Sequence, residues 1–374
     1  MSEVEKVIEK INRENEPPPP SPEEILNAQQ LFVKNCASAK FAATRDIFAS
    51  KLGTNNCSEM WDIFLKTNGD GGSCYFCLTI NVDSQYPIDL EFFSPMDFKD
   101  TLELYKGVIA DLSKLEKWPS IEKLHISKGG TIALGPVLDL SRTKLESISY
   151  DFGGKSVEYF TAIRDALVKV PNLEFFSFRD VQFDNIGLQG LDRSTITGIV
   201  LGGIKGFSIA RDGDVLQKMA NLDVVVFSSM DDLLSCTFLQ KAPKLTQLWF
   251  YNMNSLSSVV NCMPKSTEFL NVWGGKGRLD LANADSLGNS NLYALDILGQ
   301  VVDSDQLLYF PALAELKYSG LGSRSFMMEP IKNHPTLRIL KIDSSDIDPT
   351  SCPVDGTNAE IVEFCKKFAA GQTL

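Results

Sequence analysis

An α/β solenoid is the fold this sequence predicts: a long curved parallel sheet, helices and turns on its convex side, and a mainly helical cap at its start. Three observations lead there. The spacing apolar-x-x-apolar-x-apolar opens ten successive segments, at Ile121/Leu124/Ile126, Leu145/Ile148/Tyr150, Leu173/Phe176/Phe178, Ile196/Ile199/Leu201, Leu222/Val225/Phe227, Leu245/Leu248/Phe250, Thr267/Leu270/Val272, Leu292/Leu295/Ile297, Leu313/Leu316/Tyr318 and Leu337/Leu340/Ile342. First positions recur every 21 to 28 residues, the period of a unit that pairs one short strand with a return segment. Six openings follow a proline within three residues, at Pro119, Pro171, Pro243, Pro264, Pro311 and Pro335, where the ring ends the preceding turn and sets an extended approach to the strand. Between strands, Val157 to Val170 places Phe160, Ile163, Ala166, Leu167 and Val170 on one helical face, with Arg164, Asp165 and Lys169 mainly off it.

The elements follow in chain order. Residues 1–22 are charged and proline-rich, and Pro17 to Pro20 with Ser21 and Pro22 predict a stiff, disordered leader. Residues 23–115 read as a cap. Helical spacing runs from Glu23 to about Lys66 with a turn at Gly53 to Asn56, strand-like runs follow at Cys74–Val82 and Ile88–Phe93, and a helix is expected from about Asp97 to Lys114. Residues 116–350 hold about ten repeats, and residues 351–374 form a C-terminal cap or tail. Shorter return helices are expected around Val215 to Ala220, Leu233 to Ala242 and Phe326 to Ile331. No repeat can bury its apolar face alone, so stacked neighbours do it together.

The triplets and helical returns resemble the leucine-rich-repeat family, in its irregular, ribonuclease-inhibitor-like branch. That resemblance implies strands lining a concave face, helices or turns covering a convex one, and binding rather than catalysis. The family's asparagine or cysteine three residues after the last strand apolar is mostly absent, with Gly129, Val181, Ile204, Met230 and Met253 at those places. In the cap, Ser21-Pro22-Glu23-Glu24-Ile25-Leu26 and Cys57-Ser58-Glu59-Met60-Trp61 resemble the opening and close of an F-box, with a spacing longer than the usual motif. The resemblance implies docking on a Skp1-like adaptor of a ubiquitin ligase through Pro22, Ile25, Leu26 and Trp61.

Composition narrows the function classes. A formal net charge of minus 12 with dispersed basic residues argues against nucleic acid as the main ligand. No apolar run of transmembrane length and no secretory signal pattern occur, so no membrane association and residence in the cytosol or nucleus are expected. The eight cysteines are then expected to be reduced, with Cys74 and Cys77 as the only close pair. The two histidines, His125 and His334, stand far from any cysteine at zinc-site spacing, so neither metal nor cofactor is expected. Phosphate-binding, nucleophile-elbow and zinc-protease motifs are absent, and no catalytic residues are assigned.

The outward strand positions carry the binding hypothesis. Val224, Val226, Trp249, Tyr251, Phe269, Trp273 and Tyr293 alternate with core positions, and strands about 4.8 Å apart would gather them into one contiguous patch. Glu122, Glu146 and Glu174 flank that patch on one side and Lys317, Arg338 and Lys341 on the other. The leading expectation is a non-enzymatic scaffold that binds a protein partner on the concave face. The alternatives are an F-box-type substrate receptor and a regulator of a small GTPase or of actin.

Overall fold

A side chain that points into a shared core on one parallel strand faces the same core on the next, so apolar triplets in phase lock neighbouring repeats into register. The computed structural model describes residues 20–69, 77–105, 107–134, 138–254, 259–275, 278–279, 281, 291–320, 326–328, 330, 334–342 and 346. Among them, twelve strands lie side by side in chain order: Cys77–Asn81, Thr101–Tyr105, Lys123–Ile126, Ser147–Asp151, Phe175–Arg179, Gly198–Gly202, Val224–Ser228, Gln247–Tyr251, Phe269–Trp273, Ala294–Leu298, Glu315–Ser319 and Ile339–Ile342. Every pairing is parallel and one residue faces one residue throughout, as in Val225 opposite Leu248 and Leu248 opposite Leu270. This is a leucine-rich-repeat solenoid. All ten predicted openings lead into its strands, and Leu173, Leu222 and Leu245 are fully buried, while Leu337, two residues before the last strand, is half-buried.

The sheet begins two strands before the first triplet. Cys77–Asn81 and Thr101–Tyr105 pair parallel with each other and with Lys123–Ile126, where the sequence predicts a hairpin-bearing cap and a helix from Asp97 to Lys114. The physical reason lies at one position. Leu102 faces Leu124, which puts Lys99 where Ile121 opens the next repeat, and a lysine there conceals the motif. Lys99 is only 2% exposed and its Nζ lies 5.3 Å from the Phe98 ring centroid, so the chain buries a lysine at a position that most other repeats fill with an apolar residue. Likewise Ile88–Phe93 is a two-residue strand, Ile88–Asp89, followed by a 3-10 turn from Leu90 to Met96.

The return side is irregular. Short parallel strands form a second layer behind the first repeats, with Ile88–Asp89, Ile109–Asp111 and Thr131–Ile132 side by side. Val157–Leu167 is the predicted helix, and Asp214–Lys218 is a shorter one after a π-turn from Ile209 to Gly213. The helix expected over Leu233 to Ala242 is reduced to a 3-10 turn, Thr237–Lys241, and Phe326 sits in an isolated bridge, with Ile331 outside the described residues. Cys236 and Cys262, expected as thiols, are joined by a disulfide across consecutive return segments, 26 residues apart with Cα atoms 4.9 Å apart. Close sequence spacing cannot reveal such a pair, because stacking brings together residues one repeat apart. Cys74 lies outside the described residues, and Cys77 is a buried strand residue.

The missing asparagine ladder has a backbone substitute. The residue after each of six consecutive strands turns left-handed: Asp180, Ser229 and Asn252 at φ 50° or 51°, and Gly203, Gly274 and Gly299 at 59°, 70° and 77°. Each of these N–H groups donates to the last carbonyl of the following strand, as Gly203 to Ser228 at 2.8 Å and Gly274 to Leu298 at 2.7 Å. The corner is therefore satisfied by main chain, and the next residue is free to be apolar. Val181, Ile204, Met230 and Met253 are all buried there.

Three helices, Pro22–Ala37, Ala42–Leu52 and Cys57–Gly69, precede the sheet as predicted for residues 23 to 66. The first begins at a capping box in which Glu24 N–H donates to Ser21 Oγ and Ser21 N–H donates to Glu24, with Pro22 in the first turn. The second ends at Gly53, φ 72°, whose N–H reaches Ala49 O at 2.9 Å. Between the helices and the turn Leu90–Met96, Phe32, Phe48, Phe64, Phe92, Phe93 and Trp61 interlock, with Phe32 and Phe92 centroids 5.0 Å apart and Phe32 and Trp61 5.4 Å apart. This aromatic core covers the apolar end of the stack.

The helix Val157–Leu167 corrects one placement. Arg164, expected mainly off the apolar face, is 1% exposed and donates to both carboxylate oxygens of Asp184, at 2.7 and 2.8 Å, and to Gly187 O at 3.2 Å. Burial pushes the Asp184 carboxyl up, but Arg164, the Gly187 N–H and the Thr161 hydroxyl outweigh it and hold the group below its ordinary value. A depressed carboxylate contributes stability above its unfolded pKa and loses it as pH falls through the native one. Asp184→Asn is therefore expected to lower unfolding free energy at pH 7, and its deficit against the wild type should shrink as pH is lowered below about 4 in denaturant titrations. At the corners, Gly274→Ala places a Cβ against Asn252 Oδ1 in a left-handed conformation, and should cost about 1–3 kcal/mol in the same measurement. An unchanged midpoint would show that the corner relaxes freely.

Candidate functional site

Alternation along each strand buries one side chain and presents the next, so the two faces of the sheet differ in kind. In Gln247–Tyr251, Leu248 and Phe250 are buried, and Gln247, Trp249 and Tyr251 stand on the open face. Register carries this across the array. One file of open-face residues runs Val226, Trp249, Asn271, Asp296, Lys317, Lys341, and a second runs Ser228, Tyr251, Trp273, Leu298, Ser319. Phe269 opposes Gln247, so the strand follows the predicted register even where its opening residue is Thr267, which is itself buried.

The seven sequence-predicted residues lie at or beside open-face strand positions, and their rings fall into two groups. Trp249, Tyr251 and Trp273 make a ring cluster, with centroids 6.1 Å apart for Trp249 and Tyr251, 6.3 Å for the two tryptophans and 5.2 Å for the edge-on pair Tyr251 and Trp273. Phe269 and Tyr293, 36% and 39% exposed, pair separately at 6.1 Å. Among the described residues no ring contact joins the two groups, because Phe269 opens its strand and Tyr293 stands just before the next one, whereas the triad sits at the middle and end. Along their shared strand, Asn271 separates Phe269 from Trp273. Val224 and Val226 are half-buried on the neighbouring strand.

Charge is graded along the array. Glu122, Glu146 and Glu174 stand immediately before three consecutive strands, and Glu146 N–H donates to Glu122 O at 2.8 Å as Glu174 N–H does to Glu146 O. Burial, then the neighbouring Glu122 and Glu174, push the Glu146 carboxyl above its ordinary value. At the other end Lys317 and Lys341 face each other across adjacent strands, with Arg338 exposed just before the last one. Sequence reasoning missed Asp296 and Leu298, which lie between the triad and the lysines. Both were available from the period, as the outward residues of the strand that follows Leu292.

A groove of 430 Å³ opens beside the triad, with Trp273, Asp296, Leu298, Lys317, Ser319 and Lys341 among its walls. Leu298 is 43% exposed there. The Trp273 indole N–H faces the Asp296 carboxyl without reaching hydrogen-bond geometry. Burial raises the Asp296 carboxyl above its ordinary value, outweighing the pull of Trp273, Lys317 and Lys341. Among the described residues no group of three or more His, Cys, Asp or Glu could hold a metal ion. The adaptor residues expected in the cap are divided: Pro22 and Leu26 are exposed and Ile25 half-buried on the first helix, and Trp61 lies inside the aromatic core.

The chain matches no protein-family model and no curated protein. Among solved structures, an internalin from Listeria monocytogenes is similar at a TM-score of 0.47 and 14% identity, over 85% of this chain and 84% of that one. Internalin C2 from the same bacterium is similar at a TM-score of 0.37 and 17% identity, over 54% of this chain and 81% of that one.

The Asp296 geometry makes a stability prediction of opposite sign to that of Asp184. A carboxyl raised in the folded state binds its proton more readily than in the unfolded chain, so stability falls as pH rises from the unfolded pKa through the native one. Asp296→Asn should therefore raise the melting temperature at pH 7 and leave it nearly unchanged at pH 3. A lower melting temperature at pH 7 would mean that the charged carboxylate stabilises the face.

Proposed function

We propose that the chain is a non-enzymatic scaffold that holds a protein partner against the open, concave face of its sheet, with Trp249, Tyr251 and Trp273 at the centre of the contact. The observation that carries this reading is the half-buried ring triad, standing on the face opposite the packed core residues Leu248, Phe250, Leu270 and Val272. Clustered aromatic side chains on rigid elements offer large contact area at little entropic cost, which is the make-up of binding hot spots. Phe269 and Tyr293 then form a second, smaller contact at the opposite strand ends. The irregular returns, one of them a three-turn helix, support a ribonuclease-inhibitor-like rather than a uniform repeat type.

A second reading, the F-box-type substrate receptor, is favoured by one feature: the capped helix Pro22–Ala37 leaves Leu26 and Leu31 exposed at its surface. Adaptor contact would then fall to Pro22, Ile25 and Leu26, since Trp61 supports the helices from within. Co-purification with a Skp1-like adaptor, abolished by Leu26→Asp, would support it. The Cys236–Cys262 bond fits an oxidising compartment better than the cytosol or nucleus expected from the sequence, because reducing compartments keep such thiols free.

Affinity purification with mass spectrometry identifies the partner. Trp249→Ala and Trp273→Ala should then each weaken its binding by about 2 kcal/mol or more in calorimetric titration. Full affinity in both variants would remove the triad from the interface.

A further inference from the structure

Two like charges placed directly opposite each other on adjacent strands repel, and a sheet tolerates them where a counter-charge is supplied. Lys317 and Lys341 are such a pair, in register about 4.8 Å apart at the strand spacing. Lys317 has one partner, Glu315, at 3.3 Å, and Lys341 forms no ion pair among the described residues. Beyond Lys317 the same file continues to Asp296, which faces the Trp273 indole. The groove thus carries two lysines beside the Asp296 carboxyl on one wall, and aromatic and aliphatic side chains on the other, where Trp273 and the exposed Leu298 stand.

The geometry points to a specific ligand chemistry for this groove: a short acidic segment of the partner protein that sets an Asp or Glu carboxylate between Lys317 and Lys341 and an adjacent aromatic or large aliphatic side chain against Trp273 and Leu298. The inference rests on the open-face reading and adds to it the chemistry and the orientation of the partner. Two charge-assisted hydrogen bonds to one carboxylate would relieve the lysine repulsion. The apolar neighbour would cover Leu298 and the free edge of Trp273, so each half of the groove answers one half of the motif. Orientation follows from the gradient along the array. The acidic file of Glu122, Glu146 and Glu174 repels the same segment, which leaves the lysine end as its seat and directs the rest of the partner back across the ring triad.

A phage-displayed library of random peptides of about twelve residues, panned against the full chain at low salt, tests the assignment. Enriched sequences should carry Asp or Glu next to Trp, Phe, Tyr or Leu. A synthetic peptide from that set should bind about tenfold or more weaker to Lys317→Glu and to Lys341→Glu, and about tenfold weaker when its acids are replaced by Asn and Gln, a loss equivalent to about 1.4 kcal/mol. Lys341→Gln, a milder change, should give an intermediate loss, with far-UV circular dichroism confirming that each variant is folded. Enriched peptides that show no acidic bias and ignore both lysine substitutions, yet lose binding in Trp273→Ala, would overturn the carboxylate seat and leave the open-face scaffold standing. Peptides that ignore Trp273→Ala as well, or no enrichment at all, would overturn the groove as a peptide site. In that case the scaffold reading would be decided separately by the natural partner's response to the Trp249 and Trp273 variants.

Discussion

One-to-one parallel register is the constraint on which everything else in this molecule depends. Because Val225 faces Leu248 and Leu248 faces Leu270, the apolar positions of successive repeats form continuous files inside the sheet, and the positions between them form continuous files outside it. Slipping the strand Gln247–Tyr251 by one residue would exchange its two sets, burying Trp249 and exposing Leu248. The open face is therefore as strictly ordered as the core, although its side chains contribute far less to folding. Left-handed corners after six consecutive strands hold this register by main-chain bonds alone. A corner that needs no side-chain ladder releases the position after it to deepen the apolar core, as Val181, Ile204, Met230 and Met253 do.

Charge is treated in two different ways on the two sides of the sheet. On the return side Arg164 is buried against Asp184 and also donates to Gly187 O and Asp165, so three partners hold the guanidinium. Such a pair is strongly destabilising to break and specifies how the helix Val157–Leu167 meets the following return segment. On the open face Asp296 and Glu146 are pushed toward their neutral forms by burial, and Lys317 and Lys341 stand opposed. These groups hold charge at some expense to the fold. Charge on the return side is matched by an adjacent partner, and of the two opposed open-face lysines Lys317 pairs with Glu315 while Lys341 forms no ion pair among the described residues.

Most of the fold was legible in the sequence because repetition supplies many independent readings of one pattern. Ten triplets in phase fixed strand identity, direction and inward face, including Thr267, where a polar residue opens the motif. Legibility failed where one repeat departs from the rest. Lys99 concealed the second strand, since a lysine in a core slot is not visible as such until the neighbouring strand shows what it replaces. Arg164 was misplaced for the same reason, its partner Asp184 lying 20 residues away on the next return segment. The disulfide between Cys236 and Cys262 was invisible to any rule based on short spacing. At the site, side-chain identity told which residues face outward, but the division into a triad and a pair depended on how far along its strand each ring sits.

The spacing of the open face also sets a vernier for whatever lies on it. Its side chains recur about every 4.8 Å from strand to strand, whereas an extended chain crossing the strands advances about 6.7 Å between residues on one side. The two scales drift out of step within about three strands. A helix laid the same way advances about 5 Å for each three or four residues, much closer to the pitch of the sheet. Long, continuous recognition of this surface therefore favours helical or loop-borne contacts, and an extended segment can match it only over a stretch as short as the distance from Trp273 to Lys341.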